Sequence, residues 1–191
     1  MELCLVTKNN AKAKQIKDFF KGSGIVIVHK AIEYDEPEGL TVQETALQGA
    51  KYCAELLHAP VFVDDTGVFF EGYNNFPGAR AKREYQKLGF QGLFEKIKKT
   101  SNKKAYFLCA IAYCEPGKKA IVFEGKLHGT LVTEVRMTLL PGEYDHEPYS
   151  RFFIPEGETK TLIELRAEGK EPTSHRRKAV IQLLDYLKKK M

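Results

Sequence analysis

None of the four cysteines of this chain forms a CxxC pair, no apolar run reaches the length of a membrane span, and no charged segment followed by an apolar block opens it. The first absence argues against a zinc ribbon or a dithiol redox centre. Cys4 and Cys109 instead lie inside apolar strand-like runs, where a free thiol behaves as a small hydrophobe. The other two absences point to a soluble, cytoplasmic protein without membrane partners. Internal repeats are missing, as is any linker long enough to separate independent domains. The 191 residues are therefore read as a single domain, 1–191, with two lobes around a cleft. The glycines of a GxxxxGK[ST] phosphate loop are absent, and no basic strand interleaved with aromatics offers a stacking surface for single-stranded nucleic acid.

What is present is an apolar fraction of 43%, enough to close a core, and a net charge of +5. That mild excess is compatible with a polyanionic small molecule. Some of it comes from Lys188, Lys189 and Lys190, read as the solvated end of a helix whose dipole they complement.

The chain opens β-α-β. ELCLVT (2–7) is an apolar strand that runs into a helix capped by Asn9 or Asn10, and IVIVH (25–29) is a second strand. Thr41 and Glu44 form the T-x-x-E capping box of a helix reaching about Leu57. VFVDD (61–65) is a strand expected to end in a tight turn at Gly67. A helical pattern over 80–98 is broken near Gly89 and Gly92. Three β runs follow, 105–114, 119–127 and 128–135, the first two joined as a hairpin about GKK (117–119). Residues 136–160 read as a long loop, and a final helix turns Val180, Leu183, Leu184 and Leu187 inward. The pattern predicts a mixed α/β fold with an elongated central sheet flanked by helices.

Four segments place polar residues at element boundaries, where open α/β sheets line their ligand crevice. Thr7, Asn9 and Lys12 stand where a strand becomes a helix, a place whose free N–H groups and dipole favour anions. The alternative for Lys12 is a solvated surface lysine. Glu33, Asp35, Glu36 and Glu38 form an acidic loop. Asp64 and Asp65 interrupt β-formers at a cost in burial. They suit either Mg²⁺ and proton abstraction or an Asx turn with Thr66 and Gly67. Ser174-His175-Arg176 puts two potential cations at the positive end of a helix, which disfavours them unless they grip an anion or a nearby carboxylate. Lys82 ends the NNFPGARAK turn, and Lys170 precedes Ser174 by four residues. With the four segments they describe a magnesium–polyphosphate site.

These residues, in this order, resemble the inosine triphosphate pyrophosphatase family. T-x-N-x-x-K is matched by Thr7, Asn9 and Lys12. The central acid–Asp–Ser/Thr–Gly run and the later Pro-Gly are matched by DDTG (64–67) and FPG (76–78). The C-terminal Lys and Ser-His-Arg are matched by Lys170 and residues 174–176. The segment around DDTG looks most like archaeal members.

The resemblance implies hydrolysis of ITP, dITP and XTP to monophosphate and pyrophosphate, with Mg²⁺ as cofactor, a homodimer as the assembly and no nucleic acid as substrate. It implies Asp65 as catalytic base and metal partner, Asp64 as a further holder of the metal or its waters, and Glu36, or else Glu38, as a metal ligand. Thr7, Asn9, Lys12, Thr66, Lys82 and Arg176 are implied on the triphosphate, and Lys170, His175 and Tyr149 on the base side.

Two places depart from the family pattern. Its Phe-Gly-Tyr/Trp-Asp run falls on Glu147-Pro148-Tyr149-Ser150, which keeps the Tyr and lacks the Phe and Asp, or else on a displaced GEYD (142–145). A lysine that many bacterial members carry on the helix before DDTG falls on Gly49. A nucleotide pyrophosphatase with another base preference, and a binding module without catalysis, are the competing readings.

Overall fold

The structure, a computed structural model, describes residues 1–134, 148–170 and 172–190. It is a mixed α/β fold whose seven-stranded sheet carries helices. The chain divides into two compact units, residues 1–66, 109–125 and 175–191, and residues 67–108 and 126–174.

In the first unit, β1 (Glu2–Val6) lies between β2 (Val26–Lys30) and β3 (Val61–Phe70), and both pairings are parallel. Helix α1 (Asn10–Phe19) connects β1 to β2, and α2 (Val42–Leu57) connects β2 to β3. Asn9 caps α1 by accepting from the Lys12 N–H at 3.1 Å. The predicted capping box of α2 forms in full, Thr41 N donating to Glu44 at 2.8 Å and Glu44 N to Thr41 Oγ1 at 3.2 Å. Leu3, Leu5, Ile16 and Phe62 pack with Val180, Leu183 and Leu187 of α5 (His175–Lys188) in one core. β1 is neighboured on both sides while the chain reverses its direction of growth across it, so the carboxyl ends of β1 and β3 form a switch point suited to ligands.

Three expectations are corrected here. β3 does not stop at Asp65. It runs unbroken to Phe70, because Val68–Phe70 keep a ladder with β4 (Phe76–Gly78). The two aspartates therefore lie in mid-strand. The boundary expected at His128 is likewise absent, since the backbone stays extended through β6 (Ile121–Leu131), the partner of β5 (Lys104–Cys114) after the turn at Gly117. Finally, Lys190 is not simply solvated. It pairs with Glu115, and its ammonium lies 5.5 Å and 5.2 Å from the Tyr113 and Tyr186 ring centres.

The second unit has its own core of Val68, Phe70, Leu93, Ile97, Phe107, Phe152 and Phe153. Helix α3 (Ala81–Lys99) breaks at Gly89, where φ is 64°, and not at Gly92. The expected loop region contains β7 (Phe153–Pro155), paired with β6, and is followed by α4 (Leu162–Ala167). The four cysteines are free thiols, three of them buried.

Gly125 of β6 lets the first turn of α5 approach the sheet. A Cβ there would meet the His175 carbonyl oxygen at 2.0 Å and the Ala179 nitrogen at 2.8 Å. Neither backbone atom can rotate away, so Gly125→Ala is expected to lower stability by about 2–3 kcal/mol, measured by urea unfolding. An unchanged midpoint would show that α5 is free to shift.

Candidate active site

β1 pairs with β3 through Val6 opposite Val63 and then ends. The next residue of β3, Asp64, has no β1 partner in that register, and the chain after Val6 turns through Thr7 into α1. Alternation along a strand sends Asp64 and Asp65 to opposite faces of the sheet, so adjacent carboxylates enter different surroundings.

Asp64 is 6% exposed, yet it is ionised. Burial alone would push its carboxyl up, but the ammonium of Lys12 and the guanidinium of Arg176 outweigh burial and hold it well below the usual carboxylate range. Arg176 Nε donates to Oδ2 at 2.9 Å. Lys12 Nζ lies 3.1 Å from Oδ1, as an ion pair off the direction of a hydrogen bond. Thr66 Oγ1 and the Cys109 thiol also donate to Oδ2, at 3.5 Å and 3.7 Å. The rest of the guanidinium is held by Gln15 Oε1 at 2.5 Å and Thr66 Oγ1 at 3.4 Å. Of the two partners open to Arg176 in the sequence, an anion or a carboxylate, the structure pairs it with the carboxylate. Sequence reasoning misses Gln15 and Cys109. Gln15 follows Lys12 by one helical turn, and that spacing is the available signal; Cys109 gives none beyond a core position. Burial, then the negative charge of Asp64, pushes its thiol up to about 12, which keeps it a neutral donor.

Asp65 has the opposite character. Burial pushes its carboxyl up to about 6; Lys12 and the Thr66 N–H oppose the shift, and the charges of Asp64 and Glu36 add to it. Across from it, the acidic segment 31–38 has no regular secondary structure and carries exposed Glu36 and Glu38. Burial, then the charges of Glu36 and Asp65, also push the Tyr34 phenol up, so Tyr34 is uncharged.

Among the described residues no three His, Cys, Asp or Glu side chains gather as a ready metal cage. The donor chemistry nevertheless fits Mg²⁺, which takes one or two protein carboxylates and leaves its other positions to water and phosphate. The charge of Glu36 adds to the cost of ionising Asp65, a repulsion that a divalent cation would relieve.

Thr7 Oγ1 accepts from the Asn9 N–H at 3.2 Å, so both side chains shape the entry to α1. His175 is buried in the first turn of α5. The first unit thus brings together Thr7, Asn9, Lys12, Asp64, Thr66 and Arg176. Lys82, Tyr149 and Lys170 belong to the second unit. There Lys82 is exposed in the first turn of α3, and Lys170 pairs with Glu168 at 3.4 Å. Tyr149, expected to meet a base, is 6% exposed and sits in the aromatic core, its hydroxyl donating to the Ala81 carbonyl at 2.6 Å. The short 3₁₀ turn Pro148–Arg151 directs it inward. Glu147 and the GEYD segment lie outside the described residues. No helix among the described residues is long and apolar enough to cross a membrane.

Residues 3–186 match the Ham1 family. A dITP/XTP pyrophosphatase of Methanopyrus kandleri is 35% identical over 188 residues, which cover 98% of this chain and 97% of that protein. Another, of Thermococcus kodakarensis, is 32% identical over 191 residues and is covered in full. A HAM1 protein from Coxiella burnetii has a similar structure, with a TM-score of 0.84 at 23% identity over 99% of each chain, a likeness of fold.

Asp64→Asn strands a buried guanidinium and is expected to cost about 3–5 kcal/mol of stability. Because Asp64 lies below its ordinary 3.8, its contribution is complete above that pH and is lost as pH falls from there through the lowered folded value. Asp65, pushed up to about 6, works the other way, and its ionisation between 3.8 and about 6 lowers stability as pH rises. Urea unfolding from well below pH 3.8 to above about pH 6 should show the acid loss flattened in Asp64→Asn and the higher-pH loss removed in Asp65→Asn.

Proposed function

The chain belongs to the Ham1 family of dITP/XTP pyrophosphatases, and on that footing we propose that it hydrolyses deaminated purine nucleoside triphosphates (ITP, dITP, XTP) to the monophosphate and pyrophosphate, clearing them from the nucleotide pool. The observation that carries the chemistry is the pair of unlike aspartates. Asp65, near neutrality and half-buried, is suited to take a proton from water. Asp64, charged well below neutral pH, fixes the cations beside it.

In the proposed reaction, water attacks the α-phosphorus. The new P–O bond forms as the bond to the β-phosphate oxygen breaks, the proton passes to Asp65, and pyrophosphate leaves with the bonding electrons. Lys12, its side chain 23% exposed, faces Asp64 with Arg176, so two cations and one carboxylate leave a net positive charge for the triphosphate. The Thr7–Asn9 turn and Thr66 add short polar groups, and Lys82 adds a further cation. His175 and Lys170 are assigned to the nucleoside end. Glu36 and Asp65 would hold Mg²⁺, with Glu38 as the alternative to Glu36. Bound there, the ion supplies neutralisation of charge on the phosphates and leaving group. A cytoplasmic homodimer acting on free nucleotides, with no nucleic acid as substrate, completes the proposal; the family resemblance supports it.

One observation favours a second reading, the same chemistry with another base preference. Ser150 stands where the family pattern has Asp, and Tyr149 is engaged in the core.

The deciding experiment incubates the protein with ITP, dITP, XTP, dUTP and the four common triphosphates, with and without Mg²⁺, and quantifies pyrophosphate and monophosphate. Pyrophosphate from ITP or XTP is the expected result. A pyrimidine preference would select the second reading, and orthophosphate or no turnover would overturn the proposal. Asp65→Asn should lose about 10²–10⁴-fold in kcat while still binding nucleotide. Lys12→Ala should chiefly raise KM. Because Asp65 accepts a proton only when ionised, kcat/KM at limiting Mg²⁺ should rise as pH passes about 6 and level off above it.

A further inference from the structure

Gly49 sits inside α2 and is buried, and nothing in helix chemistry calls for it there, since Ala is a better helix former. What it provides is a notch. A Cβ at this position would lie 2.6 Å from Cε2, 2.7 Å from Cζ and 3.0 Å from the hydroxyl of Tyr34. All three distances are shorter than ordinary contacts, and the atoms belong to the movable tip of a side chain. Filling the notch would therefore eject the ring rather than deform the helix.

Tyr34 is also the half-buried residue of an otherwise exposed acidic stretch, Glu33–Gly39. Ile32 and Tyr34 are the half-buried members of a run that alternates in burial from Ala31 to Asp35, and exposed Glu36 follows Tyr34 by two residues. Glu36 and Asp65 both lie within electrostatic reach of the ring. The stretch also carries the Lys8–Glu33 ion pair at 2.8 Å, which is open to solvent and weak.

We infer that Tyr34, seated on Gly49, is a positioning residue that docks the acidic loop on α2 and so holds Glu36 toward Asp65 for divalent-cation binding. The inference rests on the metal role proposed above for those two carboxylates and adds the element that orients them. The ring acts through its packing; the hydroxyl is not required. Residues that orient metal ligands typically change metal affinity by 10–100-fold when removed.

The test uses the whole protein and Mn²⁺ as probe, with free ion followed by electron paramagnetic resonance and folding by thermal unfolding. Tyr34→Phe keeps the ring in the notch and should bind Mn²⁺ like the wild type. Gly49→Ala and Tyr34→Ala should weaken Mn²⁺ binding by about tenfold or more. With Mg²⁺ raised to saturation, kcat should recover while the Mg²⁺ concentration for half-maximal rate stays raised, a split that general loss of folding would not produce. Gly49→Ala adds a better helix former, so it is the variant that keeps the test valid if Tyr34→Ala unfolds. A folded Gly49→Ala protein that binds Mn²⁺ as tightly as the wild type would overturn the inference and leave the proposed reaction standing. A wild type that binds no Mn²⁺ and releases no pyrophosphate would remove both.

Discussion

Two cations from the first turns of the first and last helices close on one buried carboxylate in the middle of β3. Asp64 could not be ionised at 6% exposure without them, and Arg176, at 7% exposure, could not be buried without Asp64. Each makes the others tolerable, and the consequence is geometric. The entries of α1 and α5 are drawn to the same point of the sheet, where β1 ends and leaves a gap. Thr66 and Cys109 add hydrogen bonds to Oδ2, Gln15 holds a further guanidinium N–H, and Oδ1 keeps the Lys12 ammonium beside it as an ion pair. Such a pair contributes modestly to net stability, because desolvation consumes most of the Coulombic gain, but losing one member is costly. Its value lies in specifying position.

That position separates two neighbouring aspartates by function. Strand alternation turns Asp64 toward the cations and Asp65 toward Tyr34 and the acidic loop. One carboxylate is thereby fixed as an anion, while its neighbour is lifted to about 6, where it can exchange a proton near neutral pH. The same sheet supplies both environments because α1 and α5 pack on the face of Phe62, which alternation gives to Asp64 and denies to Asp65. A phosphate-cleaving site needs both kinds of acid, one to organise positive charge and one to accept a proton.

Much of this is legible in the residues. The T-x-x-E box at Thr41, the Asn9 cap, the order of β1, α1, β2, α2 and β3, and the apolar face of α5 follow from local rules that the structure obeys. The same T-x-x-E rule holds at Thr161 and Glu164, which box α4, but that helix is too short to show a periodicity. Gly67 beside two acids is a turn signal on its own, and it predicts an end to β3 that does not occur. The ladder with β4 overrides it, and a ladder of three pairs depends on a segment that local sequence does not announce. Tyr149 keeps the family's residue type, yet its neighbours Phe70, Phe152 and Ala81 draw it into a core.

Side-chain type and short-range spacing dictate which elements form, their order, and the chemical inventory at their ends: paired acids, lysines and an arginine at helix starts, and an acidic loop. The choice of partners belongs to the packed chain alone. Arg176 pairs with Asp64, Asp65 feels the charge of Glu36, and Tyr34 rests in the notch of Gly49, because the packed chain brings distant residues together. Whether a carboxylate becomes a fixed anion or a proton acceptor depends on the charges and solvent around it in space, which spacing along the chain does not encode.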